Sequence, residues 1–94
     1  MKRTAAESRH LGRIKQLPCA LCERLGQQQT SPTEANHPRE GQGMAQRSSD
    51  WLAYPLCYEC HRGDNGLHGN RSLFHIAKVS EMDLLADTIR KLTA

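Results

Sequence analysis

Four cysteines fall into two pairs, and each pair has the spacing Cys-x-x-Cys. Cys19 and Cys22 form the first pair, and Cys57 and Cys60 form the second after 34 intervening residues. Two such pairs can place four thiolates around one tetrahedral ion, which is the arrangement of a closed structural zinc site. Four unrelated buried cysteines are the alternative, but two matched pairs in a chain of 94 residues favour the metal site. The long gap between the pairs must have structure of its own.

Three histidines lie where they could form a second site. His61 directly follows the second cysteine pair, His68 follows a glycine-rich turn, and His37 ends a predicted strand. Two histidines and a carboxylate or amide oxygen can bind a divalent cation while another histidine activates water. Asn36 and Asp50 are the nearby oxygen donors. The sequence therefore predicts a hydrolytic metal site beside the zinc site.

Composition describes a short, polar and mildly basic chain. Only 37% of its residues are hydrophobic, and 13 Lys and Arg face 10 Asp and Glu for a net charge of +3. A chain this short with so few hydrophobic residues can form only a small core, which usually needs disulfides or a bound metal ion to be stable. Neither a signal peptide nor an apolar run that could cross a bilayer is evident, so we expect a reducing cytoplasm and no membrane, which favours metal over disulfides. The basic first quarter suits a polyanionic partner, although such charges are as often a solvated helix face.

The hydrophobic pattern predicts one domain over residues 1–94. A basic N-terminal helix within 1–17 begins at a capping box formed by Thr4 and Glu7. The core, residues 18–69, contains strands over 33–37 and 51–56 that would form a hairpin, followed by a short helix opening at Cys57.

Two C-terminal helices are predicted within residues 70–94, and the second begins at the N-cap Ser80. The residues expected to face inward are Leu73, Ile76 and Ala77 in the first helix, and Met82, Leu85, Ala86, Ile89 and Leu92 in the second. His10 and His75 lie on predicted helices without a metal-ligand partner at helical spacing, so we expect structural or surface roles for them.

The order of these motifs resembles that of the HNH endonucleases. The matching elements are Cys-x-x-Cys, then Asn36-His37, then Cys-x-x-Cys followed by His61. Over about residues 11–92 the chain is similar, more narrowly, to the phage and prophage Ref-like family of RecA-dependent nucleases. The segments that carry this second resemblance are Gly41-Gln42-Gly43-Met44, Ser49-Asp50-Trp51-Leu52, Pro55-Leu56-Cys57, His61-Arg62-Gly63 and Gly66-Leu67-His68-Gly69. The implied fold is α+β, a small zinc-stapled ββα-metal (HNH) domain with flanking N- and C-terminal helices.

The resemblance also implies a role for each matching residue. His37 would be the general base, and Asp50 would orient it. His61 and His68 would bind a catalytic Mg²⁺ or Mn²⁺ ion. Asn36 stands where the family usually has a histidine or an aspartate ligand, and its amide oxygen is a neutral, weaker ligand. The residues expected to contact nucleic-acid phosphates are Arg39, Arg47 and Arg62.

The expected function is that of a metal-dependent DNA endonuclease in phage or prophage recombination or DNA processing. DNA and a recombinase filament would be its partners. The alternative is a zinc-containing module that binds DNA or a recombinase with little or no cleavage, which the asparagine at position 36 favours. A purely structural zinc protein would leave the clustered histidines without a role.

Overall fold

A computed structural model describes residues 2–39 and 48–94 of the chain. Helix α1 spans Ala5–Lys15, and the predicted capping box is confirmed at its start. The backbone N–H of Glu7 donates to Thr4 Oγ1 over 3.1 Å, and the backbone N–H of Thr4 donates to Glu7 Oε1 over 2.8 Å. The helix ends at the C-cap Gln16, slightly earlier than predicted.

Two short strands form the predicted antiparallel hairpin. Strand β1 spans Thr33–Asn36 and β2 spans Tyr54–Cys57, with Thr33 opposite Cys57 and Asn36 opposite Tyr54. The second strand begins later than predicted because residues 50–52 form a 3-10 turn, which Ser49 caps by accepting a hydrogen bond from the backbone N–H of Trp51.

The described residues form four further helices. Helix α2 spans Ala20–Leu25, α3 spans Tyr58–Arg62, α4 spans Ser72–Ala77 and α5 spans Glu81–Thr93. Of these, α2, α3 and α5 pack against the hairpin, so the architecture is α+β as predicted. Helix α2 follows the first cysteine directly, and α3 follows β2 without an intervening loop. These two junctions bring the cysteine pairs together.

The inward faces predicted for the last two helices are partly wrong. The buried residues of α5 are Glu81, Leu84, Leu85 and Thr88. Met82 and Ile89 are instead 41% and 46% exposed, and Ile76 of α4 is 67% exposed while Phe74 is buried. The helical period of α5 was right but its phase was not. A buried hydrogen-bond network holds the carboxylate of Glu81 inside and thereby sets the rotation of the helix.

The main core is built around the cysteines. Apolar side chains from α2, β2, α4, α5 and the loop after α3 pack in the same cluster as the four thiols, among them Leu21, Tyr54, Leu56, Leu67, Phe74, Leu84 and Leu85. A smaller cluster of Leu11, Ile14 and Ala53 lies beneath α1. A metal ion held by the cysteines would therefore stabilise the centre of the fold.

Candidate metal centre and histidine pocket

The four cysteines lie close together, as their spacing predicts. All are buried, and one sulfur from each lies within 4.8 Å of the others. Cys22 Sγ is 3.8 Å from Cys57 Sγ and 3.7 Å from Cys60 Sγ. A tetrahedron with metal–sulfur bonds of about 2.3 Å has edges of about 3.8 Å, so these two separations match the edges of a zinc site. These residues could hold a structural metal ion such as zinc.

The thiols differ in how readily they lose a proton. A hydrogen bond from Cys60 lowers the pKa of Cys19 to about 5, whereas burial raises the pKa of Cys22 to about 11. The hydrogen bond to Cys19 is the main cause that raises the pKa of Cys60. Metal binding to this quartet must therefore release protons, because the ligands are thiolates.

The rings of His61, in α3, and His68, in the loop after α3, face each other. Their Nε2 atoms are 3.1 Å apart, close to the separation of about 3.0 Å expected for adjacent ligands of an octahedral ion with bonds of about 2.1 Å. His61 Nδ1 donates to Glu34 Oε1 over 2.7 Å, so the lone pair of His61 Nε2 faces His68 Nε2 and can accept a hydrogen bond from it or bind a cation. Burial, and next the neighbouring His61, lower the pKa of His68 and favour its neutral ring.

A tightly bonded loop between α3 and α4 holds His68 in this position. The backbone N–H of Leu67 donates to the carbonyl of Cys60, and that of His68 donates to the carbonyl of His61. A Cβ atom at Gly66 would lie 2.4 Å from the backbone carbonyl oxygen of Cys60, and one at Gly69 would lie 2.2 Å from the backbone carbonyl oxygen of Asp64. Only glycine allows these backbone segments to approach so closely.

His37 is held by a chain of charged groups. His37 Nε2 is 2.7 Å from Asp50 Oδ1, and Arg3 donates to both oxygens of the same carboxylate over 2.6 and 3.2 Å. The Arg3 guanidinium, and next His37, lower the pKa of Asp50 to about 2. An ionised carboxylate only accepts hydrogen bonds, so Nε2 carries the ring proton and Nδ1 is the atom that can accept one.

The side chain of Asn36 is oriented by two donated hydrogen bonds. Its Nδ2 donates to the hydroxyl of Tyr54 over 2.8 Å and to Glu81 Oε1 over 3.3 Å. The Tyr54 hydroxyl donates its own proton to Glu81 Oε1 over 2.7 Å, so it must accept from the amide nitrogen. This arrangement fixes which end of the amide is nitrogen and leaves the oxygen without a hydrogen-bond donor among the residues that the structure describes.

These side chains line one open pocket of about 280 Å³, which we call the histidine pocket. Its lining residues are Ala35, Asn36, His37, Arg39, His61, Arg62 and His68. Most of the predicted site residues are thus brought together. Asp50 lies behind His37, and Arg47 lies outside the described residues. Neither His10, which is buried and lies 4.9 Å from the ring of Trp51, nor the exposed His75 is part of it.

Three residues that support the pocket were not predicted. Glu34 could have been found, because residues two apart in a strand share a face and Glu34 lies two before Asn36. Arg3 and Glu81 gave no local signal. They act across 47 and 45 residues of sequence on Asp50 and Asn36 respectively.

No protein-family model, curated protein or solved structure matches this chain. Among the helices of residues 2–39 and 48–94, none is both long enough and apolar enough to cross a membrane.

Proposed function

We propose that this chain is an HNH-type, metal-dependent DNA endonuclease, related to the Ref-like nucleases of phages and prophages. The observation that carries the proposal is the histidine pocket itself. One open cavity is lined by two histidines whose Nε2 atoms converge and by His37, whose Nδ1 has no hydrogen-bond partner among the described residues. A base beside a pair of metal ligands is the minimum set for metal-assisted hydrolysis.

Each side chain then has a distinct role in phosphodiester hydrolysis. His37 accepts a proton from water at Nδ1, while Asp50 keeps the proton on Nε2 and stabilises the positive charge that the ring gains. His61, His68 and the oxygen of Asn36 would hold the catalytic ion, Mg²⁺ or Mn²⁺. When bound, that ion stabilises the negative charge on the departing 3′ oxygen. Arg39 and Arg62 line the same pocket and would neutralise phosphate charge.

The test incubates zinc-loaded protein with supercoiled plasmid and either Mg²⁺ or Mn²⁺. We expect nicked circles, and we expect His37→Ala to lower the rate by about 100-fold or more, the usual contribution of a general base. His75→Ala is the matched control, because it removes an exposed histidine outside the pocket. Nicking that is equal in the two variants would remove His37 from the mechanism.

A binding module without nuclease activity is the second candidate, and a specific observation favours it. Asn36 supplies a neutral oxygen where a charged or imidazole ligand would bind a cation more tightly. Such a module would bind DNA or a recombinase filament through Arg39 and Arg62 of the same pocket. Retarded migration of DNA in a native gel, with no nicking in any divalent ion, would favour this function over the enzyme.

A further inference from the structure

A second pocket adjoins the histidine pocket and shares two of its residues. It has a volume of about 310 Å³, and its lining residues are Arg39, Leu67, His68, Arg71 and Glu81. Arg39 and His68 therefore face both cavities. Neither Arg39 nor Arg71 forms an ion pair with another described residue, whereas Arg3, Arg24, Arg62 and Arg90 each do. Two exposed guanidiniums thus remain available beside the pocket.

The backbone of Arg71 adopts a conformation that an arginine rarely takes. Its φ angle is 62°, in the left-handed region. A side chain there costs about 1 kcal/mol or more relative to glycine. The conformation is held by a hydrogen bond from the Arg71 backbone N–H to the Gly66 carbonyl, within the loop that positions His68. The loop therefore fixes the point from which the Arg71 side chain extends.

The side chain of Arg71 lies against an aromatic ring. Its guanidinium carbon lies 5.6 Å from the centre of the Phe74 ring, which is a cation–π contact. The same guanidinium can still donate hydrogen bonds from its edge, because stacking uses only its face. Among the described residues that line this pocket the carboxylate is that of Glu81, which is 1% exposed and accepts hydrogen bonds from Tyr54 and from the backbone N–H of Arg39. Both of its oxygens therefore have hydrogen-bond donors within the protein.

We propose that Arg39 and Arg71 form a phosphate subsite that binds the backbone of a DNA strand next to the phosphate held in the histidine pocket. This inference rests on the proposed function, since it concerns the same substrate. Guanidinium groups bind phosphate oxygens through paired hydrogen bonds, and contacts of this kind position a strand without reading its bases. The subsite extends the contact with the substrate by one phosphate toward α4.

The test compares Arg71→Gly with Lys78→Gly. Lys78 has a φ angle of 58° at the other end of α4 and lines neither pocket, so both substitutions remove one positive charge and one strained side chain. Binding of a fluorescent single-stranded 20-mer is measured by anisotropy over a series of salt concentrations, with zinc-loaded protein and no added Mg²⁺ or Mn²⁺. Thermal unfolding of each variant is measured in parallel.

We expect Arg71→Gly to weaken binding about tenfold at low salt, the effect of losing one charged hydrogen-bond donor. The slope of log K against log[salt] should become less steep by about 0.7, which is one phosphate contact for a single strand. The Tm should stay the same or rise, because the strain is relieved. Lys78→Gly should share the effect on Tm and leave the affinity within about twofold.

Equal losses of affinity in the two variants would overturn the subsite, as would a failure of the unaltered chain to bind the 20-mer. If the plasmid is nicked but Arg71→Gly binds normally, the nuclease proposal stands and the subsite does not. If Arg71→Gly lowers affinity while no divalent ion supports nicking, the phosphate subsite is supported and the chain is a DNA-binding module without nuclease activity.

Discussion

Asn36 presents two different atoms to its surroundings. Its amide nitrogen donates inward to Tyr54 and Glu81, and its oxygen has no hydrogen-bond donor within the described part of the chain. The network therefore fixes the amide in the orientation that a metal ligand requires. It also makes the position sensitive to charge, because Glu81 Oε1 lies 3.3 Å from the amide nitrogen.

Substitution at Asn36 should therefore depend on the residue at position 81. Asn36→Asp places a second carboxylate against Glu81, which forces the pair to share a proton or repel, and we expect a loss of about 3 kcal/mol in the free energy of unfolding. Asn36→Asp with Glu81→Gln should recover much of this loss, because the glutamine amide can donate to the new aspartate. Urea denaturation of the zinc-loaded proteins measures both effects.

The double variant should also bind Mn²⁺ more tightly than the unaltered chain, as titration calorimetry would report, because an ionised carboxylate is a stronger ligand than an amide. Additive losses of stability in the two single variants and the double variant would show that positions 36 and 81 are not coupled.

For single residues, the sequence predicted which side chains form the two sites better than it predicted which side chains they contact. The cysteine spacing was enough to predict the quartet, because two residues between ligands always allow both to contact one ion. His37 and Asp50 were assigned together only by resemblance, and their 2.7 Å contact agrees with that pairing. The arginine that completes the chain of charges lies 47 residues from Asp50, and no local pattern connects them.

The loop between α3 and α4 is the element that turns two separate histidines into a pair. It folds back onto α3 through hydrogen bonds to the carbonyls of Cys60 and His61. Its glycines are needed for this approach, most clearly Gly66, where a Cβ would lie 2.4 Å from the Cys60 oxygen. The backbone of this loop, more than any side chain within it, sets the distance between His61 and His68.

Alanine substitution should separate this glycine from an ordinary one. We expect Gly66→Ala to lower the free energy of unfolding by about 1 to 3 kcal/mol, because the added carbon cannot be accommodated without moving backbone. Gly12→Ala is the control, since nothing lies within 4 Å of its Cβ position in α1. It should raise stability by about 0.5 to 1 kcal/mol. Urea denaturation compares the two, and equal effects would contradict the packing of the loop.

Element positions could be predicted more closely than element faces. The N-caps of α1 and α5 were predicted correctly, because capping depends on residues three apart in sequence. The inward face of α5 was not, because Met82 and Ile89 share the helical period of the true core residues. The phase is decided by Glu81, whose hydrogen-bond partners Tyr54 and Asn36 lie far away in the sequence.

The molecule as a whole is organised around the cysteine quartet. The thiols lie inside the main hydrophobic cluster and join α2 to the junction of β2 and α3. The remaining core is small, with a second cluster of three buried residues under α1. A bound metal ion in such a domain supplies a large share of its stability, because zinc adds about 10 to 16 kcal/mol of apparent free energy to small zinc peptides.

Removal of the metal should therefore unfold the chain. We expect one tightly bound zinc ion per chain, and loss of the far-UV circular dichroism signal when a strong chelator is added. Cys57→Ser should have the same effect without chelator. His61→Ala is the comparison, because it removes a ligand from the histidine pocket and leaves the thiols in place. A chelated protein that melts at an unchanged temperature would show that the cysteines do not hold a structural ion.

Cys60 and His61 are consecutive residues of α3, and one contributes to the quartet while the other lines the pocket. The two sites are therefore separated by a single peptide bond, and the pocket depends on the helix that the quartet anchors. If the proposed enzyme is correct, the supply of zinc in the cell, and not that of Mg²⁺, sets how many molecules are competent. The catalytic ion could then change only the cleavage rate of those molecules that had already folded around zinc.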